Sequence, residues 1–177
     1  MSKQIAIVTA DYFEESEVIF PYFHLKGKGY EVKIYTPNGE EARGKNGMKN
    51  LPVSGGFDEI RVSDIDALII PGGFAPDIVR RNETILRLVK KADKNNTLIA
   101  MICHGAWVAI SAKILNKRKI TAVPVIRPEI EGAGGNWQDE SVVVDRNMVT
   151  AQVPNDLYKW LTIISNKLEE GMGGENE

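Results

Sequence analysis

Cysteine occurs once in this chain of 177 residues, at Cys103, so no internal disulfide can form and a disulfide-stapled secreted domain is excluded. Histidine occurs only at His24 and His104, and with one cysteine at no ligand-like spacing these do not build a metal site. No metal and no cofactor is therefore expected. Charge of one sign is missing too: 22 Lys and Arg stand against 24 Asp and Glu, a net charge of −2. No basic block or basic helix face stands out, so nucleic acid is not an expected partner. Apolar runs fall far short of the ~20 residues that a spanning helix needs, so a membrane role is not expected. The opening "MSKQIAIVTADYFEE" has too short an apolar run for an export signal and passes directly into acidic residues. These absences describe a soluble protein of the reducing cytoplasm.

What is present is an alternation of short apolar runs with amphipathic ones, the pattern of a parallel sheet covered by helices. "QIAIVTA" (4–10) reads as a buried strand, "SEVIFPYFHLKGKG" as a helix ending in glycines, and "YEVKIYTP" (30–37) as a second strand. Residues 38–57 are glycine-rich and weakly alternating, which predicts a hairpin excursion. "DALIIPGG" (66–73) is a third strand, followed by the helical stretches "PDIVRR" and "ETILRLVKKADKN". "TLIAMIC" (97–103) is a fourth strand, "HGAWVAISAKIL" a helix, and "KITAVP" (119–124) a fifth strand. "SVVVDRNMVTAQ" (141–152) predicts a hairpin turning at 145–147, and 155–170 a closing helix with Asn155 as its N-cap. A single α/β domain over 1–168 is expected, with a frayed tail over 169–177.

In open α/β sheets, ligands sit at the carboxyl ends of the strands. Three such ends carry unusual chemistry here: "DYFEESE", "PGG" and "CHG". Cys103 falls where a buried strand turns into a helix, an elbow that exposes a nucleophile, and Gly105 lets the helix begin close to the strand. Helix N–H groups aimed at the sulfur would lower its pKa. His104 is the candidate base, or else contributes only its backbone N–H as an oxyanion donor. An ionised carboxylate beside a thiolate would raise the thiol pKa, so a neighbouring glutamate must be partly buried and protonated. Glu17, in the first helical turn, is the first choice for that acid and Glu14 the second, while Glu15 only complements the helix dipole. Gly72 and Gly73 could offer N–H groups to an oxyanion, and Gly105 is expected to line the same pocket. His24 reads as a surface or packing residue.

The segments "FEESEVIFPYFHLKGKGYEV", "DALIIPGGFAPD", "AMICHGAW", "AGGNWQDESVVVD" and "MVTAQVPNDL" together resemble the PfpI/ThiJ family. The likeness runs over residues 3–168 and is nearest to the intracellular protease PfpI branch, within the class I glutamine-amidotransferase-like superfamily. It implies a flavodoxin-like three-layer sandwich, with helices on both faces of a mostly parallel sheet. It also implies a nucleophile at Cys103, a glutamate hydrogen-bonded to its sulfur at Glu17, a further acid at Glu14, and a pocket lined by His104 and Gly73. The branch resembles homo-oligomers, dimers assembling into hexamers, in which an acid from a neighbouring subunit meets the histidine; the matching position is Asp77. Three positions depart from the family pattern: Asp77 replaces glutamate, Phe74 replaces arginine and Val123 replaces tyrosine.

Three functions follow as expectations. In the first, a Cys103 thiolate attacks a small α-oxoaldehyde or its early glycation adduct on protein, as a glyoxalase or deglycase does. The second is peptide hydrolysis on unfolded protein, which needs an oriented base as well. The third is a non-enzymatic, stress-protective redox sensor in which Cys103 oxidises.

Overall fold

The computed structural model describes residues 2–171. Strands buried on both faces need apolar side chains at consecutive positions, and several runs of this chain meet that condition. In chain order the elements are β1 (Gln4–Val8), α1 (Glu15–Gly27), β2 (Glu31–Thr36), β3 (Val53–Gly56), β4 (Ala67–Ile70), α2 (Ala75–Val79), α3 (Glu83–Lys94) and β5 (Leu98–Ile102). Then come α4 (Ala106–Ser111), β6 (Lys119–Ile120), α5 (Arg127–Gly132), β7 (Asn136–Trp137), β8 (Val142–Asp145), β9 (Met148–Ala151) and α6 (Leu157–Glu170). Every residue of β4, β5 and β9 is buried, as is all of β1 after Gln4.

The main sheet has seven strands in the order β3-β2-β1-β4-β5-β9-β8, with only β8 antiparallel to its neighbour. The chain steps from β1 to β2 in one direction and from β4 to β5 in the other. Right-handed crossovers therefore put α1 and α3 on opposite faces. Packing agrees: α1 lies with α6, while α3 contacts β5 and α4. This is the flavodoxin-like arrangement, and its order reverses between β1 and β4, the switch point at whose carboxyl ends ligands bind in such sheets. The expected hairpin at 141–152 is present as β8 and β9, in register Val142↔Ala151 through Asp145↔Met148.

Two elements differ from expectation. Residues 38–57 are not a hairpin, because Val53–Gly56 pair parallel to β2. A parallel partner needs a long connection, and residues 37–52 supply it. The predicted fifth strand contributes only Lys119–Ile120, which pair with β7 in a separate two-stranded ribbon. The place beside β5 goes to β9 instead. The discarded strand meets β9 through a side chain, the Thr121 N–H donating to Thr150 Oγ1 at 3.0 Å.

Helix ends moved as well. The closing helix starts at Leu157, after a 3-10 turn over Pro154–Asp156, so Asn155 is not its N-cap. Glu169 and Glu170 are helical, Gly171 caps the helix, and the rest of the expected tail, 172–177, lies outside the described residues. No described helix is long and apolar enough to cross a membrane.

Candidate active site

The chain leaves β5 through a sharp bend. Ile102 is extended, Cys103 has φ +57°, and a 3-10 turn over Cys103–Gly105 leads into α4. A positive φ is unusual for a residue with a Cβ and costs of order 1 kcal/mol. The bend sits tightly against the end of β4: a Cβ on Gly105 would come 2.3 Å from the Ile70 carbonyl oxygen. Gly73, at φ +75°, is constrained in the same way by the backbone of Tyr12, Phe13 and Glu14. Glycine at 72 keeps the site open, since a Cβ there would lie 2.6 Å from Glu17 Oε2 and 2.8 Å from the Cys103 Cβ.

Glu17 projects from the first turn of α1 and is 0% exposed. Its Oε2 accepts the Gly72 N–H at 2.6 Å, while Oε1 has no partner of regular geometry. The other hydrogen-bonding group acting on this carboxyl is the Cys103 side chain. Burial raises Glu17 to about 7, and the charge of Glu14 adds to the rise against the Gly72 N–H. Glu14 moves the other way. Burial works to raise it, but hydrogen bonds from Lys45 and Ser16 outweigh that and hold it below the ordinary carboxylate value. Two neighbouring carboxyls are thus driven apart, which is how acid and base roles are divided.

The thiol is not lowered, contrary to expectation. Burial and then the charge of Glu17 push Cys103 up to about 12, against the N–H groups of His104 and Gly73 and the charge of Lys45. An ionised Glu17 therefore keeps the sulfur protonated. The two groups share their protons as a pair, giving up the first near neutrality and the second only far above it.

A second correction concerns Gly72. Its N–H is taken up by Glu17, whereas Gly73 and His104 turn N–H groups towards the sulfur. Gly105 is buried against β4 and shapes the bend instead of lining a pocket. His104 places Nδ1 at 3.4 Å from Cys103 Sγ and packs on Trp107, ring centroids 4.7 Å apart. Burial, helped by Lys45, lowers its pKa, so the ring is neutral at pH 7. Among the described residues no carboxylate hydrogen-bonds that ring. Asp77, on α2, is paired within the chain to Arg81. His24 hydrogen-bonds the buried Ser165 hydroxyl at 3.1 Å and ties α1 to α6.

Lys45 went unnoticed in the sequence. It stands in the loop between β2 and β3, and its charge acts on Glu14, Glu17, Cys103 and His104. Glu15 is more than a dipole complement, since its carboxylate accepts the Asn46 N–H at 2.7 Å and the Asn46 Nδ2 at 2.9 Å. Nothing local in "RGKNG" signals this, because the loop reaches the site only through the sheet order. Among the described residues no three His, Cys, Asp or Glu side chains come together as metal ligands.

The model of the DJ-1/PfpI family matches residues 3–167. A deglycase of Thermococcus kodakarensis is 40% identical over 158 residues, 89% of this chain and 95% of that protein. The deglycase PfpI of Pyrococcus furiosus is 40% identical over the same shares of the two chains. A solved two-domain protein from Anabaena variabilis, containing DJ-1/ThiJ/PfpI-like and ferritin-like domains, superposes with a TM-score of 0.92 at 35% identity. That likeness covers 95% of the present chain and 48% of the larger one, so the chain spans about half its length.

Proposed function

The chain belongs to the DJ-1/PfpI family, and we propose that it is a cysteine-dependent enzyme of the deglycase kind, acting on small α-oxoaldehydes or their early adducts on protein. The supporting observation is the fully buried Glu17 carboxyl, inclined to keep its proton near neutrality, beside a half-buried cysteine at a strained bend.

A carbonyl carbon is the natural target of that pair. The Cys103 sulfur bonds to the aldehyde carbon of methylglyoxal as its own proton passes through the Glu17 carboxylate to the carbonyl oxygen, giving a hemithioacetal. Glu17, again a carboxylate, takes the proton from that carbon and returns it to the adjacent one, while the hydroxyl proton passes to the adjacent oxygen. One carbon is thereby oxidised to a thioester and its neighbour reduced to an alcohol, with no external oxidant. Water then cleaves the thioester, releasing lactate and the thiol. Glu14 is held as the partner of Lys45 and does not compete as the proton shuttle. Peptide hydrolysis would further need an oriented imidazole, and among the described residues no carboxylate hydrogen-bonds His104.

The test is lactate formation from methylglyoxal by the purified protein. Wild type is expected to turn over, Cys103→Ser to fall to the buffer rate, and Glu17→Ala to lose about 100-fold or more. A wild type no faster than buffer, with Cys103 selectively oxidised by peroxide, would replace the enzyme by a redox sensor. Cleavage of an unfolded protein that disappears in Cys103→Ser would restore the peptidase.

A further inference from the structure

Lys45 is built into the site although it lies far from Cys103 in sequence. Its backbone N–H donates to the Phe13 carbonyl at 2.9 Å, and the adjacent Gly44 forms a parallel bridge with Phe13. On its other side Asn46 is gripped by both oxygens of Glu15. A side chain at Gly44 would displace that carboxylate, since its Cβ would fall 2.2 Å from Glu15 Oε1. The loop is thus fastened to the end of β1 and the start of α1 together. From there the ammonium group pairs with Glu14 Oε2 at 2.5 Å, and Glu14 Oε1 accepts the Ser16 hydroxyl at 2.8 Å. An exposed lysine elsewhere would be a solvated charge of little consequence. This one is positioned by two backbone segments and sits among the titratable groups of the site.

We propose that Lys45 is a positioning residue which, by taking Glu14 as its counter-ion, leaves Glu17 as the carboxyl that exchanges a proton with the Cys103 sulfur. The proposal rests on Cys103 being the nucleophile. Without Lys45 the site would hold two carboxyls competing for protons, one buried and one only partly so, and no cation to favour a thiolate. The groups that matter are Glu14 just before α1, Glu17 in its first turn, Cys103 and His104 at the bend, and Glu129, which acts on His104. Removing the positive charge disfavours the anion on the Cys103–Glu17 pair. Removing the negative charge of Glu14 favours it.

The experiment is the pH dependence of Cys103 alkylation by iodoacetamide in the full chain, with lactate formation measured in parallel. Lys45→Met is expected to move the profile up by about one pH unit, roughly a tenfold slower alkylation below the midpoint. Lys45→Arg should stay within about twofold of wild type, because it keeps the charge. Glu14→Gln should move the profile down, and the Lys45→Met/Glu14→Gln double variant should return towards wild type. A Lys45→Met profile superimposed on that of wild type overturns the proposal, as does an arginine variant that behaves like methionine. If Lys45→Met does not fold, the Glu14→Gln profile decides: a downward shift supports the proposal and an unmoved one overturns it. Lactate formation that survives in Cys103→Ser would instead defeat the nucleophile reading, so the two failures are distinguishable.

Discussion

A carboxyl group without water needs either a proton or a counter-charge, and Glu17 has one backbone N–H and no cation bonded to it. Its folded pKa of about 7 lies above the ordinary 4.5. Between these values the native state binds more protons than the unfolded chain, so stability falls as pH rises from about 4.5 through 7. The full loss amounts to at most about 3 kcal/mol. Glu17→Gln keeps the acceptor for Gly72 and cannot ionise. It should therefore be more stable than wild type at pH 8, with the advantage fading by pH 4.5, as thermal melts across that range would show. Equal melting temperatures at every pH would mean that Glu17 ionises without penalty. At this scale the sequence was informative: an acid in the first turn of α1 and a cysteine at a strand end were both legible. The direction of the thiol shift was not, because it depends on how much of Glu17 is buried and on which N–H groups face the sulfur.

The bend at Cys103 belongs to β5, its 3-10 turn and the end of β4 together. A left-handed residue with a Cβ stores about 1 kcal/mol there, which glycine would release. Cys103→Gly should consequently be more stable than Cys103→Ala by about 1 kcal/mol in urea denaturation. Indistinguishable midpoints would show that the bend holds no such strain. The elements that carry this bend were readable because "ALII" and "LIAMI" are apolar at every position and end at glycine-containing turns. "KITAVP" has the same character and was read as a core strand. Hydrophobicity could not rank it against "MVTA", which arrives already paired with β8 and occupies the edge of β5. Residues 38–57 fit a hairpin from sequence for a related reason: glycine-rich, weakly alternating sequence suits a hairpin or a crossover equally, and the parallel pairing of 53–56 with β2 decides between them.

Across the whole molecule, the end of the sheet opposite the site is fastened by one buried cation. Arg118, 3% exposed, donates to Asp93 Oδ1 at 2.8 Å, Asp145 Oδ2 at 3.1 Å, the Asp145 carbonyl at 2.7 Å and Asn147 Oδ1 at 2.9 Å. It joins α3, the β8–β9 turn and the segment before β6, which are distant in sequence. Removing Arg118 takes the charged partner from Asp93 and leaves Asp145 only the Lys119 N–H and the more distant Arg146. Arg118→Met should lose about 3 kcal/mol in urea denaturation. It should leave the rate of Cys103 alkylation in the folded protein unchanged, because the site lies at the other end of the strands. A loss of alkylation at full folding would show that the two ends are coupled.

Local patterning determined the class of fold, the position of the buried strands and the residues of the elbow, since each depends on side chains within a few positions of one another. Strand order, the Lys45–Glu14 pair, the capture of the Gly72 N–H by Glu17 and the Arg118 cluster came only with the tertiary structure. All four are contacts between segments remote in the chain. Their energies depend on distance and on exclusion of water, and neither quantity is written in any short stretch of sequence.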